Sequence, residues 1–263
     1  MKYQGVLRKM QTEHTDPITY YLDMESDIIQ ANQLLERNLE IQFEHYQCLA
    51  CGKDKKIFAQ GYCYDCYYAL PQAGDWIMHP ELSKAHLGIA DRDLAYEKEV
   101  QLKPHIVYLA NSSNVKVGVT RKSQLPTRWI DQGAHEALVI LETPNRYLAG
   151  IAEVALKAHV SDKTNWRKML TNNLEEVDLP AWRDTLKKYI PDEVQDYFVG
   201  NQKEISLHFP VVQYPTKIKS LNLSKTPFYK GKLMGIKGQY FIFEDGTVFN
   251  VRSHEGYVVR LSV

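Results

Sequence analysis

HIVYLANSSNVKVGVTRKSQLPTRWIDQGA, residues 105–134, decides how the rest of the chain is read. Two runs, IVYLA at 106–110 and VKVGVT at 115–120, are rich in β-branched and aromatic residues, and Asn111-Ser112-Ser113-Asn114 between them has turn composition. Together they predict a β-hairpin. Arg121, Lys122 and Arg128 gather cationic charge where the hairpin hands over to the next element. PTRWID at 126–131 predicts a short helix, with Pro126 near its start and Gly133 just beyond its end. ALVILE at 137–142 is a compact apolar strand suited to a buried position. Residues 145–160 follow as a helix whose Leu148, Ile151, Ala152, Ala155, Leu156 and His159 recur at helical spacing, with Glu153 off that line. A second helix is expected from about Thr164 through Trp166 to Leu170.

Towards the N-terminus, residues 3–10, 18–22 and 39–43 have strand composition, and residues 28–37 (IIQANQLLER) suggest a short helix closed by Asn38. All four cysteines then fall in one pattern, Cys48-x-x-Cys51 and Cys63-x-x-Cys66, separated by eleven residues. Paired knuckles of this kind aim four thiolates at one ion, and four closed thiolates make a structural zinc site with no position left for substrate. Two disulfides are the structural alternative, disfavoured for a chain in a reducing compartment. The eleven intervening residues suffice for a small hairpin, and Phe58, Tyr62, Tyr64, Tyr67 and Tyr68 around it either stack bases or pack against a knuckle with little other core. Residues 70–104, punctuated by Pro71, Gly74, Pro80, Gly88 and Pro104, read as a connecting region with short turns of helix.

Towards the C-terminus, residues 179–198 read as helical, divided by Pro191, and residues 208–214 as a strand. From Gly231 the chain is strongly β, with Asp245-Gly246 as a hairpin signal, which predicts a small meander or barrel. Tyr3-Gln4-Gly5-Val6-Leu7 resembles Tyr229-Lys230-Gly231-Lys232-Leu233, which suggests equivalent edge strands that bring both termini into one β domain. Lys217, Lys219, Lys225, Lys230, Lys232 and Lys237 supply charge for nucleic acid, or are simply solvated lysines that deter edge pairing.

The 263 residues are 44% apolar and 11% aromatic, ample for a packed core, and 32 basic residues balance 32 acidic ones. A whole-protein attraction to nucleic acid is therefore not expected. The charge is uneven, however: residues 1–100 carry 10 basic and 16 acidic side chains, whereas 101–170 carry 10 and 5, so a basic face on the central region is compatible with the sequence. The opening MKYQGVLRKM lacks the features of a signal peptide, and no apolar run approaches the roughly 18 residues that span a bilayer. A cytoplasmic protein without membrane association is expected.

The order of hairpin, helix, strand and helix resembles the GIY-YIG nuclease superfamily over about 70 residues. Ile106-Val107-Tyr108 sits where its first tripeptide would be and Lys116-Val117-Gly118 where the second would be, while Thr120, Arg128 and Glu153 match the superfamily's Thr, helical Arg and metal-binding Glu. The resemblance implies that Tyr108 assists a nucleophilic water, Arg128 stabilises the phosphate and Glu153 holds Mg²⁺ or Mn²⁺. Lys116 departs from the superfamily's tyrosine, and Arg128 lies slightly further from Gly118 than is usual. Ordinary roles are open to the same residues, Glu153 for instance as an i, i+4 partner of Lys157. End to end, GVLRKM, the knuckles, His-Pro-Glu-Leu at 79–82, VYLANSSNVKVGVTR, RWIDQGA, NWRKML and GIKGQYFIFEDGTVFNVRSHEGY resemble a domain-of-unknown-function family, number twenty-seven ninety-seven.

The expectation is thus an α+β protein. Residues 1–100 form a β-rich region with the four-cysteine zinc knuckle, 101–175 a GIY-YIG-like α/β core, 176–204 a helical connector and 205–263 a C-terminal β module paired with the N-terminal strands. The expected function is nucleic-acid binding with metal-dependent phosphodiester cleavage by Tyr108, Lys116, Arg121, Arg128 and Glu153, with Lys116, Arg121, Lys122 and Arg128 contacting the nucleic acid. Competing readings are a non-catalytic, zinc-stabilised binding or adaptor protein and an enzyme acting on a small molecule beside the hairpin. No phosphate-binding glycine loop or Ser/His/Asp signature supports the last.

Overall fold

The computed structural model describes residues 1–160 and 165–263 of a mixed α+β protein, so Thr164, the expected start of the second central helix, lies outside the described residues. The chain divides into two compact units. One comprises Met1–Tyr68, Leu170–Asn172 and Leu207–Val263, and the other Ala69–Met169 and Asn173–Ser206. No helix among the described residues is long and apolar enough to cross a membrane.

In the second unit, His105–Asn111 and Val115–Arg121 form the expected hairpin. Four antiparallel strands lie in the order Ile205–Ser206, Glu136–Thr143, His105–Asn111, Val115–Arg121. Every residue of His105–Asn111 is buried, because both faces of this central strand are covered. Strand alternation sends Val107, Leu109, Val117 and Val119 to one face, where they pack with Ala149, Ala152 and Leu156 of the helix Arg146–Lys157 and with Leu179, Leu186, Ile190 and Val194. The other face carries Tyr108, Lys116 and Gly118, next to Trp129 on the short helix Thr127–Asp131. The Asn145 side chain caps the longer helix by accepting the Leu148 N–H at 2.9 Å.

In the first unit, seven strands run in the order Lys2–Val6, Tyr257–Ser262, Asn38–Tyr46, Phe228–Lys237, Tyr240–Phe243, Thr247–Asn250, Lys219–Ser220. The C-terminal strands therefore share one sheet with Lys2–Val6 and Asn38–Tyr46, while Gln11–Glu13, Thr19–Met24 and Asp27–Gln30 form a sheet of their own. Alternation is plain in Asn38–Tyr46, where Leu39 and Ile41 are buried and Glu40 and Gln42 are not. The Gln239 side chain mimics a missing strand neighbour: its Oε1 accepts the Met10 N–H at 2.8 Å and its Nε2 donates to the Met10 carbonyl at 3.2 Å.

Several expected elements differ. The helix expected at residues 28–37 is instead the strand Asp27–Gln30 followed by a 3₁₀ turn, Ala31–Leu34. Ile29 is buried and Ile28 is 70% exposed, the alternation of a strand paired with Thr19–Met24 rather than the shared face of a helix. The expected strand at 208–214 is irregular, held by a single bridge between Val211 and Gly235, since Pro210 and Pro215 lack the N–H groups a ladder needs. The helix expected at 179–198 is α-helical only over Leu179–Leu186 and continues as 3₁₀ turns either side of Pro191. Lys2–Val6 is an edge strand but Phe228–Lys237 lies inside the sheet, so their sequence likeness does not mark equivalent positions.

Lys237 is a further difference. Expected among solvated lysines, it is 1% exposed, donates from Nζ to Asn172 Oδ1 at 3.2 Å, and lies 5.4 Å and 5.3 Å from the ring centroids of Phe209 and Tyr214. Burial holds its ammonium down to about 8. Between pH 8 and the ordinary lysine value of 10.5 the unfolded chain keeps a proton that the folded chain releases, so this group's contribution to stability rises with pH across that window. The stability of the wild type relative to Lys237→Met should therefore increase by up to roughly 3 kcal/mol between pH 7.5 and 10. Denaturant midpoints of both proteins at the two pH values check this.

Candidate functional site

The knuckle is built by two turns. Cys63 ends the second strand of the hairpin Ile57–Ala59 and Tyr62–Cys63, and Cys66 lies in the first turn of the helix Tyr64–Ala69. Opposite them, the Cys48–Cys51 turn is closed by the Gly52 N–H donating to the Cys48 carbonyl at 2.9 Å. The four Sγ atoms lie within 4.8 Å of one another, with Cys51 and Cys63 4.0 Å apart. Tetrahedral zinc at about 2.3 Å from each sulfur requires edges of about 3.8 Å, whereas a disulfide would need about 2 Å, so the set fits a metal rather than paired bridges. Burial opposes the Cys48 thiolate, yet backbone N–H groups of Cys51, Cys63 and Ala50 outweigh it and hold the thiol at about 6; one of them, Cys63 N–H, donates to Cys48 Sγ at 3.3 Å. Cys66 is pushed up to about 12, chiefly by its hydrogen bond with Cys63. Four cysteines are thus placed to bind a metal ion, and zinc suits the donor set.

The second candidate site is the polar face of the hairpin. Register places Tyr108 directly opposite Gly118, and a Cβ at 118 would lie 2.7 Å from both Cζ and Oη of Tyr108. Only glycine lets the ring lie across the hairpin there. The hydroxyl donates to Gln132 Oε1 at 3.0 Å, and Trp129 meets the ring edge-on at 5.9 Å. Burial raises the Tyr108 pKa; the Arg128 charge pulls it back and the Glu153 charge pushes with the burial. Lys116, 6% exposed on the same face, is brought down to about 7 by burial and then by the Arg128 charge. The Arg128 charge thus acts on both Tyr108 and Lys116, and the Glu153 charge reaches Tyr108. Arg121 opposes His105 at the hairpin's end and lines an open hollow with Lys103 and Lys122. Lys122 stands apart on the surface, its Nζ 2.6 Å from Glu142 Oε1.

Glu153 belongs to a helix stripe with Arg146, Gly150 and Lys157. It is buried, its Oε1 lies 3.5 Å from Lys157 Nζ, and its Oε2 has no hydrogen-bond partner among the described residues. Burial raises its pKa, Lys157 and Arg146 lower it, and Glu81 raises it further. Arg146 donates from Nε to the Trp76 carbonyl at 3.0 Å and from Nη2 to the Ile77 carbonyl at 2.7 Å, so it straps the 76–82 segment to the helix. Burial brings its guanidinium down to about 10, still charged at neutral pH. At Gly150 the 3₁₀ turn Pro80–Leu82 sits so close that a Cβ would run into the Glu81 backbone nitrogen. His105 is wholly buried, donates from Nδ1 to the Lys103 carbonyl at 2.7 Å, and is held by burial down to about 4; its Nε2 has no partner among the described residues. Arg146, Glu81 and His105 are absent from the site residues expected from the sequence, although Glu81 falls within the His-Pro-Glu-Leu stretch at 79–82. An arginine in the first turn of a helix, where the dipole disfavours it, was the available signal for Arg146.

Two outcomes are expected. The purified chain should carry one zinc per molecule by elemental analysis, the ion should leave as the thiolates protonate in acid, and Cys63→Ser should abolish it. Gly150→Ala should destabilise the protein by about 1–3 kcal/mol in denaturant unfolding, because the clash with the Glu81 backbone outweighs the roughly 1 kcal/mol that alanine gains in helix propensity.

No curated protein and no solved structure matches this chain. One family model does, and it covers residues 36–259, from the strand before the first cysteine pair through the hairpin face to the last strand. On that match the chain belongs to the family described as Protein of unknown function (DUF2797).

Proposed function

We propose that the chain binds nucleic acid and cleaves a phosphodiester bond with a divalent cation at the polar face of the hairpin, on a GIY-YIG-like core whose structural zinc knuckle takes no part in the chemistry. The observation that carries this reading is that Tyr108, seated opposite Gly118, feels the charges of both Arg128 and Glu153, while Lys116 beside it feels that of Arg128. Glu153 is a buried carboxylate with one oxygen uncommitted, the donor type that retains Mg²⁺ or Mn²⁺ with water still bound. When bound, the cation supplies positive charge at the phosphate oxygens. Arg128 adds a second fixed cation beside the developing charge.

Lys116 acquires a role from its environment. Burial raises the Tyr108 pKa, which keeps its hydroxyl protonated at neutral pH, so it orients rather than deprotonates. Lys116, at about 7, is substantially neutral there and accepts the proton of the attacking water. Arg121 and Lys122, nearer the surface, contact the backbone of the bound strand.

A second reading, a non-catalytic binding or adaptor protein on the same core, is favoured by one observation: Tyr108 is fully buried with its hydroxyl already donated to Gln132. Zinc-loaded protein incubated with mixed DNA and RNA and Mg²⁺ or Mn²⁺ separates the two. Metal-dependent cutting should fall at least a hundredfold in Glu153→Ala, and the rate should climb through pH 7 in the wild type and lose that rise in Lys116→Met. Salt-sensitive binding without cutting would select the binding protein, and neither binding nor cutting would remove nucleic acid as the ligand.

A further inference from the structure

We propose that Glu81, carried on the turn Pro80–Leu82, is a second carboxylate ligand that holds one divalent cation together with Glu153; this rests on the reading that such a cation serves the hairpin face. The two residues come from segments far apart in sequence that are forced together. Glu81's backbone nitrogen lies against Gly150, one helical turn before Glu153, and Arg146 in the same stripe fixes the start of that segment through the Trp76 and Ile77 carbonyls. Each carboxylate has one engaged oxygen and one that is not. Glu81 Oε1 lies 3.4 Å from His79 Nδ1 and Glu153 Oε1 3.5 Å from Lys157 Nζ, whereas both Oε2 atoms are buried without a partner among the described residues. The Glu153 side chain is 9% exposed and that of Glu81 30%.

Two buried carboxylate oxygens left without donors are strongly unfavourable unless something positive lies between them. Lys157 faces Glu153 Oε1, and the buried Arg146 already donates its Nε and Nη2 to main-chain carbonyls. Two solutions remain, a shared proton or a hard cation. Oxygen-only ligation by two carboxylates, completed by water, is the donor set of Mg²⁺ and Mn²⁺. The cationic surroundings, Arg128, Arg146 and Lys157, then serve an anion brought to the metal rather than the metal itself.

The test is a Mn²⁺ titration of the full-length, zinc-loaded chain at pH 7.5, with free Mn²⁺ followed by electron paramagnetic resonance. The wild type should bind one Mn²⁺, and Glu81→Gln and Glu153→Gln should each weaken it at least tenfold, with Glu81→Asp intermediate. Without added Mn²⁺, Glu81→Gln should melt no lower than the wild type, because it removes a like charge; only the wild type's melting temperature should rise on adding Mn²⁺. Wild-type affinity in Glu81→Gln would overturn the proposal and leave Glu153 as the sole metal carboxylate, with the cleavage reading intact if Glu153→Ala still abolishes cutting. A wild type that binds no Mn²⁺ would overturn the proposal in favour of a shared proton, and a cleavage assay negative in the same preparation would overturn the nuclease reading as well.

Discussion

The Tyr108 ring occupies the space a side chain at 118 would fill, and the whole polar face of the hairpin depends on that exchange. With glycine there, a large aromatic can lie flat across two paired strands, be closed at its edge by Trp129 and direct its hydroxyl to Gln132. The same burial that fixes the ring removes water from Lys116 on the neighbouring strand, and so one packing decision sets the protonation of two residues. The opposite face of these strands carries Val107, Leu109, Val117 and Val119 and anchors the helix that carries Arg146, Gly150 and Glu153. Steric demand at one position thereby fixes the electrostatics at several others.

The helix Arg146–Lys157 does two kinds of work. Its apolar stripe, Ala149, Ala152 and Leu156, is small where it meets the sheet, which lets the helix approach closely. Its polar stripe is spaced by one turn and faces the 76–82 segment, with Arg146 as a strap, Gly150 as a contact point and Glu153 beyond it. A connecting region that reads as mere linker in sequence is thus tied to a helix of the core. Its regularity comes from side chains on a distant helix rather than from its own propensities.

That difference explains what the sequence disclosed. The hairpin, the short helix after it, the strand near 137–142 and the four-cysteine knuckle were all legible, because each is written in local composition or spacing. Tyr108 and Lys116 were named from the sequence too, and the hairpin register sets both on one face. Residues 28–37 misled because IIQ is compatible with either period until its partner strand, Thr19–Met24, is known. Glu81, Arg146 and His105 were hidden for a stronger reason: their roles arise from contacts across tens of residues, and nothing local distinguishes Glu81 from a solvated acid after a proline. Lys237 likewise looked like one of six surface lysines, and only the approach of Asn172, Phe209 and Tyr214 makes it a core residue.

Lys237 and Lys116 lie in different units, and both are sealed from solvent with amines more readily deprotonated than ordinary lysines. Acylating reagents attack the neutral amine, so these two would be the most reactive of the described lysines if accessible, yet closure protects them. Their labelling rates therefore measure how often each unit opens rather than how nucleophilic each amine is. The chain carries, without any engineered tag, one reporter of local opening in each of its two halves.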